Sequence, residues 1–553
     1  MRHTTNRARR SARALIGALA TLSLLAGCAG AAGTASEGGD PVSGGTLQLD
    51  LPQDTSANPC LDPIQFYGRE WQLITGNSAE RLVDMDPETG EIVPWLADSW
   101  EVSADGLDYT FELKQGITFA NGEEFNADAV KTAFDTNLEF VEENPSFGWN
   151  LLDIDGVETS GEHTVTISLS QPDSAFLSIL TERNMGILSP SSYALSATER
   201  CQAGISSTAA YQVESFVPFE SIVFVRRDDY VPTSALATHD GAGYLDRIEI
   251  DFVSELNVRV GNVTSGLTDV SWTRNPFTKS EIDQLTSAGL TVEQSPLSGL
   301  TYMYYPNVRF DRPLGDPKVR EALQHSIDRA SYADVLYGPD YPVAEGIYQQ
   351  GTALAEAADP DLLSYDPELA ASLLDEAGWK LGDDGYRYND AGEKLTLVAL
   401  GHNTNALGEE LLQAQLREVG INLEIQVITV AERVGIGNAG DYDLTYTFTY
   451  TNDPSVIRRT LEVDRASEVP LAQNAMSDAD YEGFTEILGK LVVEQDDATR
   501  AELSTELQQN VLEHNAAFPL YDRQQQAAFA PDVHGAEFTA DGMIRFHDLW
   551  LDR

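Results

Sequence analysis

From Thr46 the chain alternates apolar and polar residues as Thr46-Leu47-Gln48-Leu49, which predicts a strand at the start of the folded body. Tyr109-Thr110-Phe111-Glu112-Leu113 alternates again, Lys114-Gln115-Gly116 and Asn121-Gly122 mark turns, and Ile117-Thr118-Phe119 runs between them. The period then changes to that of a helix. Asn126 stands as N-cap, with Val130, Ala133, Phe134 and Leu138 on one face, and a second alternating run covers His163 to Leu169. Strand, turn, strand and helix in this order describe an α+β unit.

The second half of the chain reads differently. Asp316-Pro317 and Asp366-Pro367 each place an N-cap aspartate before a first-turn proline. The helix after the first has Val319, Leu323 and Ile327 on one face; the helix after the second has Leu369, Leu373, Leu374 and Ala377, with Gly378 as its stop. A strand Leu395 to Leu400, a helix Leu407 to Val419, and strands Asn422 to Ile428 and Tyr442 to Tyr450 follow. Strands alternating with helices predict an α/β lobe with a largely parallel sheet.

Composition narrows the reading. The chain of 553 residues carries 88 acidic and 35 basic residues, a formal net charge of −53. Such a surface repels nucleic acid and anionic headgroups, so neither is expected as a partner. At the N-terminus five arginines precede an apolar stretch, Ala14 to Ala26, that is too short to cross a bilayer and ends in Leu25-Ala26-Gly27-Cys28. This resembles a bacterial lipobox, which implies a signal peptide over 1–27, a lipid on Cys28, and a body held on the extracytoplasmic face of the membrane by that anchor alone. Residues 28–44 are small and polar and read as a flexible tether. Outside the cell the two other cysteines, Cys60 and Cys201, are candidates for a disulfide, with two separate buried thiols as the alternative.

The run Glu91-Ile92-Val93-Pro94-Trp95-Leu96-Ala97-Asp98-Ser99-Trp100, followed by Asp105-Gly106, Tyr109-Thr110-Phe111, Gly116, Phe119, Gly122 and Ala127-Asp128-Ala129-Val130, resembles the peptide/nickel family of extracellular solute-binding proteins (family 5) that serve ABC importers. Leu245-Asp246-Arg247-Ile248, Ile327-Asp328-Arg329, Asp441-Tyr442-Asp443-Leu444 and Phe518-Pro519-Leu520-Tyr521 continue the likeness in the family's order. The resemblance implies an α/β, two-lobed periplasmic-binding-protein-like fold (class II), with an extra α+β subdomain inserted in lobe I. Lobe I is then expected over 45–80, the inserted subdomain over 81–204, lobe I again over 205–295, lobe II over 296–505, and a return to lobe I over 506–553. Cys60 and Cys201 would sit at the base of the insertion.

Within that frame the ligand-binding candidates fall on two lobes. On lobe II, Tyr450, Asn452 and Asp453 follow the Tyr442–Tyr450 strand at its carboxyl end, where ligands gather in α/β sheets. Asp453 either caps the helix begun by Pro454 or, as the resemblance implies, pairs with a ligand's α-amino group. His402, Asn403 and Thr404 form a second strand-to-helix turn on this lobe; no second histidine stands at ligand spacing beside His402, so no metal or other cofactor is expected. On lobe I, Tyr67, Trp149, Tyr211, Trp272 and Arg274 lie in stretches that border the cleft in relatives. Dipeptide binders of the family place an arginine where this chain has Ala399-Leu400-Gly401, a departure that weighs against a dipeptide.

The expected function is capture of a small solute, an oligopeptide first, by a monomeric receptor that delivers it to an ABC permease. An oligosaccharide, an opine or a metal chelate are the alternative ligands. A secreted surface hydrolase is the alternative class, against which stands the absence of H-E-x-x-H, G-x-S-x-G and P-loop motifs.

Overall fold

The computed structural model describes residues 40–553 apart from 54–58, 66–67, 145–146, 149–150, 152, 203, 310, 402–405, 429, 448 and 464–468. Three principal sheets organise these residues. The first has seven strands: Thr46–Leu51 lies at its centre, parallel to Arg247–Phe252 on one side and Val270–Thr273 on the other. Ser221–Arg226 and Tyr211–Val217 extend it beyond Arg247–Phe252, while Gln524–Phe529 and Thr291–Pro296 extend it beyond Val270–Thr273. Leu47, Leu49, Ile248, Ile250, Phe224 and Trp272 form the core on one side of this sheet, which is why the alternation at Thr46 is a reliable strand signal.

The inserted segment carries its own four-stranded antiparallel sheet, ordered Ala97–Val102, Asp108–Leu113, Thr164–Leu169, Ile154–Thr159. Tyr109, Phe111 and Leu113 point into its core while Asp108 and Glu112 face solvent, as the alternation requires. The helix Ala127–Glu143 packs on it; the Asn126 side chain accepts from the Ala129 amide at 3.0 Å, and Val130, Ala133 and Phe134 are buried. Cys60 and Cys201 are joined by a disulfide with Cα atoms 4.1 Å apart, beside the buried Arg200–Asp62 ion pair at 2.6 Å.

The second lobe holds a five-stranded sheet ordered Asn422–Val427, Thr396–Gly401, Leu444–Thr447, Tyr302–Pro306, Phe518–Tyr521. The first three are parallel, and Tyr302–Pro306 runs antiparallel to both of its neighbours, so the sheet is mixed, not largely parallel as expected. Tyr302–Pro306 enters from the first lobe directly after the strand Thr291–Pro296, with no crossover helix before it, and Phe518–Tyr521, which follows the helix Asp497–Glu513, leaves towards the first lobe. The strand expected over Tyr442–Tyr450 is shorter, Leu444–Thr447. The Asp443 carboxylate takes the Val398 amide at 2.7 Å, a ladder position that a backbone carbonyl would otherwise fill. The strand is buried on both faces, Thr445 as fully as Leu444.

The expected return to lobe I at residue 506 is corrected by the same sheet. The helix Asp497–Glu513 packs against Asp478–Val493, and Phe518–Tyr521 still belongs to the second sheet; only Gln524–Phe529 joins the first. The chain therefore passes between the sheets twice, at residues 297–301 and 522–523. Gln349 staples the two passages, its Nε2 donating to the Ser298 carbonyl at 3.0 Å and its Oε1 accepting from the Arg523 amide at 2.6 Å.

Candidate functional site

Tyr450 lies where the two sheets meet. Its ring sits under the guanidinium of Arg69, whose Cζ is 4.3 Å from the centroid, and near that of Arg523 at 5.0 Å. Arg69 opens the helix Arg69–Ser78 of the first lobe, and Arg523 belongs to the short passage between the sheets. Both arginines are buried, and burial is the main reason each guanidinium falls to about 10. The Arg69 contacts are with uncharged acceptors: Nη2 donates to Gln525 Oε1 at 2.9 Å and to the Asp541 carbonyl at 3.0 Å, and Nη1 to Gln72 Oε1 at 3.1 Å.

The neighbouring carboxylates are engaged elsewhere. Asp541 takes a forked pair from Arg183, Nε to Oδ2 at 2.8 Å and Nη2 to Oδ1 at 2.5 Å. Burial alone would raise Asp541, but Arg183 holds it well below the usual carboxylate range. Glu70 receives both Nε and Nη2 of Arg274, the first at 2.8 Å. The result is a cationic patch, with one aromatic ring in contact with two guanidiniums, at the junction of the lobes.

A second set of contacts carries the second lobe onto the inserted subdomain. Thr451 Oγ1 donates to Glu182 Oε1 at 2.8 Å, and the Ser178 hydroxyl donates to the Asn452 carbonyl at 3.4 Å. The Asn452 side chain also reaches Met85 Sδ at 2.9 Å and accepts from the Ala353 amide at 2.6 Å. Further out, Arg458 Nη1 pairs with Asp173 Oδ2 at 3.0 Å and the Ser174 amide donates to the Val492 carbonyl at 2.8 Å. A solute held between the lobes would therefore be enclosed by groups from both.

Of the residues expected at the site, Tyr450 and Asn452 are brought to this junction. Asp453 performs the capping role: Oδ1 accepts from the Ser455 amide at 2.9 Å and Oδ2 from Arg500 Nη2 at 2.5 Å, with both side chains buried. Tyr211 and Trp272 are corrected to the core of the first lobe. Both are fully buried, and the Tyr211 hydroxyl donates to the Leu245 carbonyl at 3.2 Å. Arg274, expected as a cleft cation, is bound to Glu70. Cys28, Tyr67, Trp149, His402, Asn403 and Thr404 lie outside the described residues. The sequence reading missed Arg69, Arg183, Arg523 and Asp541. No sequence signal marks them: Arg69 is followed by Glu70, Arg183 follows Glu182, Arg523 follows Asp522 and Asp541 precedes Gly542, ordinary polar surroundings that only the fold brings together.

Two lobes, each built on its own sheet, joined by two passages and enclosing polar groups at their junction, define a solute receptor. The family description "Bacterial extracellular solute-binding proteins, family 5 Middle" matches residues 91–461, and the chain belongs to that family of ABC-transporter substrate-binding proteins. A "Probable di/tripeptide-binding protein 5" of Pseudomonas aeruginosa (strain UCBPP-PA14) is 31% identical over 432 residues, 73% of this chain and 77% of the relative. The glutathione-binding protein GsiB of Salmonella typhi is 28% identical over 381 residues, 68% of each chain. In three dimensions the chain is similar to NikA from Brucella suis, solved with Fe(III)-EDTA: TM-score 0.79 at 24% identity, covering 92% of this chain and all (100%) of that one.

Proposed function

We propose that this protein captures a short peptide between its lobes, holds the ligand's carboxylate against Arg69, and presents the closed form to an ABC permease while anchored to the membrane through a lipid on Cys28. The carrying observation is the Arg69 guanidinium: it is buried, faces the Tyr450 ring and is held by uncharged acceptors. A buried cation in such surroundings gains from an anionic partner, and an arginine fork fits a carboxylate with two hydrogen bonds. The di/tripeptide and glutathione named for the two relatives are molecules that carry such a carboxylate. No bond need be broken for this role; closure is a population shift set by the ligand's preference for the closed form.

The test is calorimetric titration of the mature chain with a di- and tripeptide panel that includes glutathione, beside the same peptides amidated at the C-terminus. Binding of free-acid peptides, loss of affinity on amidation, and a fall of about 30-fold or more in Arg69→Met support the reading. Equal affinity for acid and amide forms, or turnover of the bound peptide, would remove it. Incorporation of labelled fatty acid into the parent chain and not into Cys28→Ala tests the anchor.

A further inference from the structure

Away from the junction, on the first lobe, two histidines share one carboxylate. His239 lies in the segment leading to the strand Arg247–Phe252, and His547-Asp548 precedes the short C-terminal strand Trp550–Leu551. The two imidazoles stack with centroids 4.2 Å apart and planes 10° from parallel. His239 Nδ1 stands 2.9 Å and His547 Nδ1 3.1 Å from the same oxygen, Asp548 Oδ1. The opposite nitrogens face backbone carbonyls, His239 Nε2 that of Ala242 at 3.1 Å and His547 Nε2 that of Gly241 at 3.0 Å.

All four ring nitrogens therefore meet acceptors. A neutral imidazole has one N–H and one lone pair, so either tautomer sets a lone pair against an oxygen; the imidazolium has two N–H groups and satisfies both contacts. Stacked cations need opposite charge nearby, and the surroundings hold it. Asp548 is shared by both rings, and Glu80 Oε1 accepts at 2.8 Å from the hydroxyl of Tyr230, whose ring lies 5.5 Å from that of His547. Two imidazoliums against two carboxylates leave the group neutral. Tyr244 stacks on His239 with centroids 4.0 Å apart; Arg545, bound to Asp84 at 3.0 Å, Glu537 and the exposed Asp240 are the other ionisable neighbours among the described residues.

We propose that His547 and His239 form a proton-operated clasp on Asp548, which holds the 238–242 segment to the C-terminal strap of the chain in acid and slackens in alkali. Burial lowers the His547 imidazolium, but its bonds to Asp548 and the Gly241 carbonyl more than restore it, so the ring titrates above its ordinary value. Burial would raise Asp548, yet the bonds from His547, Thr238 and His239 hold it at about 2, ionised while the rings titrate. With the folded value of His547 raised, its contribution to stability is complete below the ordinary imidazole range and is lost as pH rises through the folded value. The strap matters because it backs the helix Arg69–Ser78. Asn77 Nδ2 donates to the Ile544 carbonyl and Asn77 Oδ1 accepts from the Phe546 amide, both at 2.9 Å, while Arg69 Nη2 donates to the Asp541 carbonyl at 3.0 Å.

The experiment is ring-nitrogen NMR of the full chain labelled with ¹⁵N-histidine, titrated from pH 5 to pH 9, beside hydrogen exchange read by mass spectrometry over the same range. Imidazolium shifts at both nitrogens of both rings at pH 5, and a His547 midpoint above that of a free imidazole, are expected. Protection of 238–242 and 546–551, corrected for the intrinsic exchange rate, is expected to fall about tenfold or more through that midpoint, the worth of one charge-assisted hydrogen bond. His547→Gln should remove this pH dependence. A His547 midpoint at or below that of a free imidazole, protection that stays level while the ring titrates, or a variant that keeps the parent's pH dependence would overturn the clasp. Should the variant not fold, the parent decides: ring titration and loss of protection must coincide.

Discussion

Arg500 Nη2 lies 2.5 Å from Asp453 Oδ2 inside the second lobe, and the other oxygen of that aspartate caps the turn Pro454–Ile457. One carboxylate thus neutralises a buried arginine and satisfies a helix terminus. Replacing Arg500 by Met leaves Asp453 buried and unpaired, which costs about 3 kcal/mol or more. Chemical denaturation is expected to show that loss, and Asp453→Ala a comparable one. Peptide affinity, measured below the denaturation midpoint, is expected to fall much less.

Asp522 sits in the short passage between the sheets, with Oδ2 accepting from the Gln350 amide at 3.0 Å and Oδ1 buried without a hydrogen-bond partner. Burial raises its carboxyl to about 7. Because the folded form holds this proton more tightly than the unfolded chain, stability is greatest at low pH with respect to this group. It declines as pH rises from about 4 through 7 and is level above that, with an amplitude on the order of 4 kcal/mol. Asp522→Asn is expected to flatten that part of the stability profile and to melt higher than the parent at pH 8. A parent profile that rises steadily between pH 5 and 8, with the variant parallel to it, would contradict the assignment.

The Arg458–Asp173 pair joins the second lobe to the inserted subdomain. Burial pushes the Asp173 carboxyl up while Arg458 pulls it back. Arg458→Met is expected to favour separation of the lobes and to weaken ligand binding about tenfold, or 1.4 kcal/mol. Small-angle scattering should show the ligand-free variant more expanded than the parent. The double variant with Asp173→Asn should recover part of the loss, since the uncompensated carboxylate is then gone.

The Cys60–Cys201 disulfide closes a loop spanning 141 residues of sequence separation. Chain-entropy reasoning gives it about 4–5 kcal/mol. Reduction, or the double serine variant, is expected to lower the melting temperature by a clearly measurable amount and to hasten proteolysis within the inserted segment before the rest of the chain.

How much of this was legible in the residues differs by element. Asn126, Asp316 and Asp366 announce their helices because capping is local: the side chain and the amides it satisfies lie within a few positions. Tyr109, Phe111 and Leu113 mark a half-buried strand for the same reason. Leu444–Thr447 is shorter than its residues predict, because the ladder partners that set its length, Thr396–Gly401 and Tyr302–Pro306, lie far away in sequence. Trp272 and Tyr211 look identical in sequence to pocket aromatics, since only packing distinguishes a core ring from a binding ring. Arg69 and Arg523 are 454 positions apart and meet only over Tyr450.

Gln349 touches both strands that bridge the halves of the molecule, one at Ser298 and one at Arg523. A door hung on two pins swings about one line, and a crosspiece fastening the pins together fixes where that line runs. Any shear or twist that slides one passage along the other must stretch one of these two hydrogen bonds. One side chain bonded to both pins keeps them from slipping past each other, so the joint has a fastened axis where the chain alone would give two loose threads.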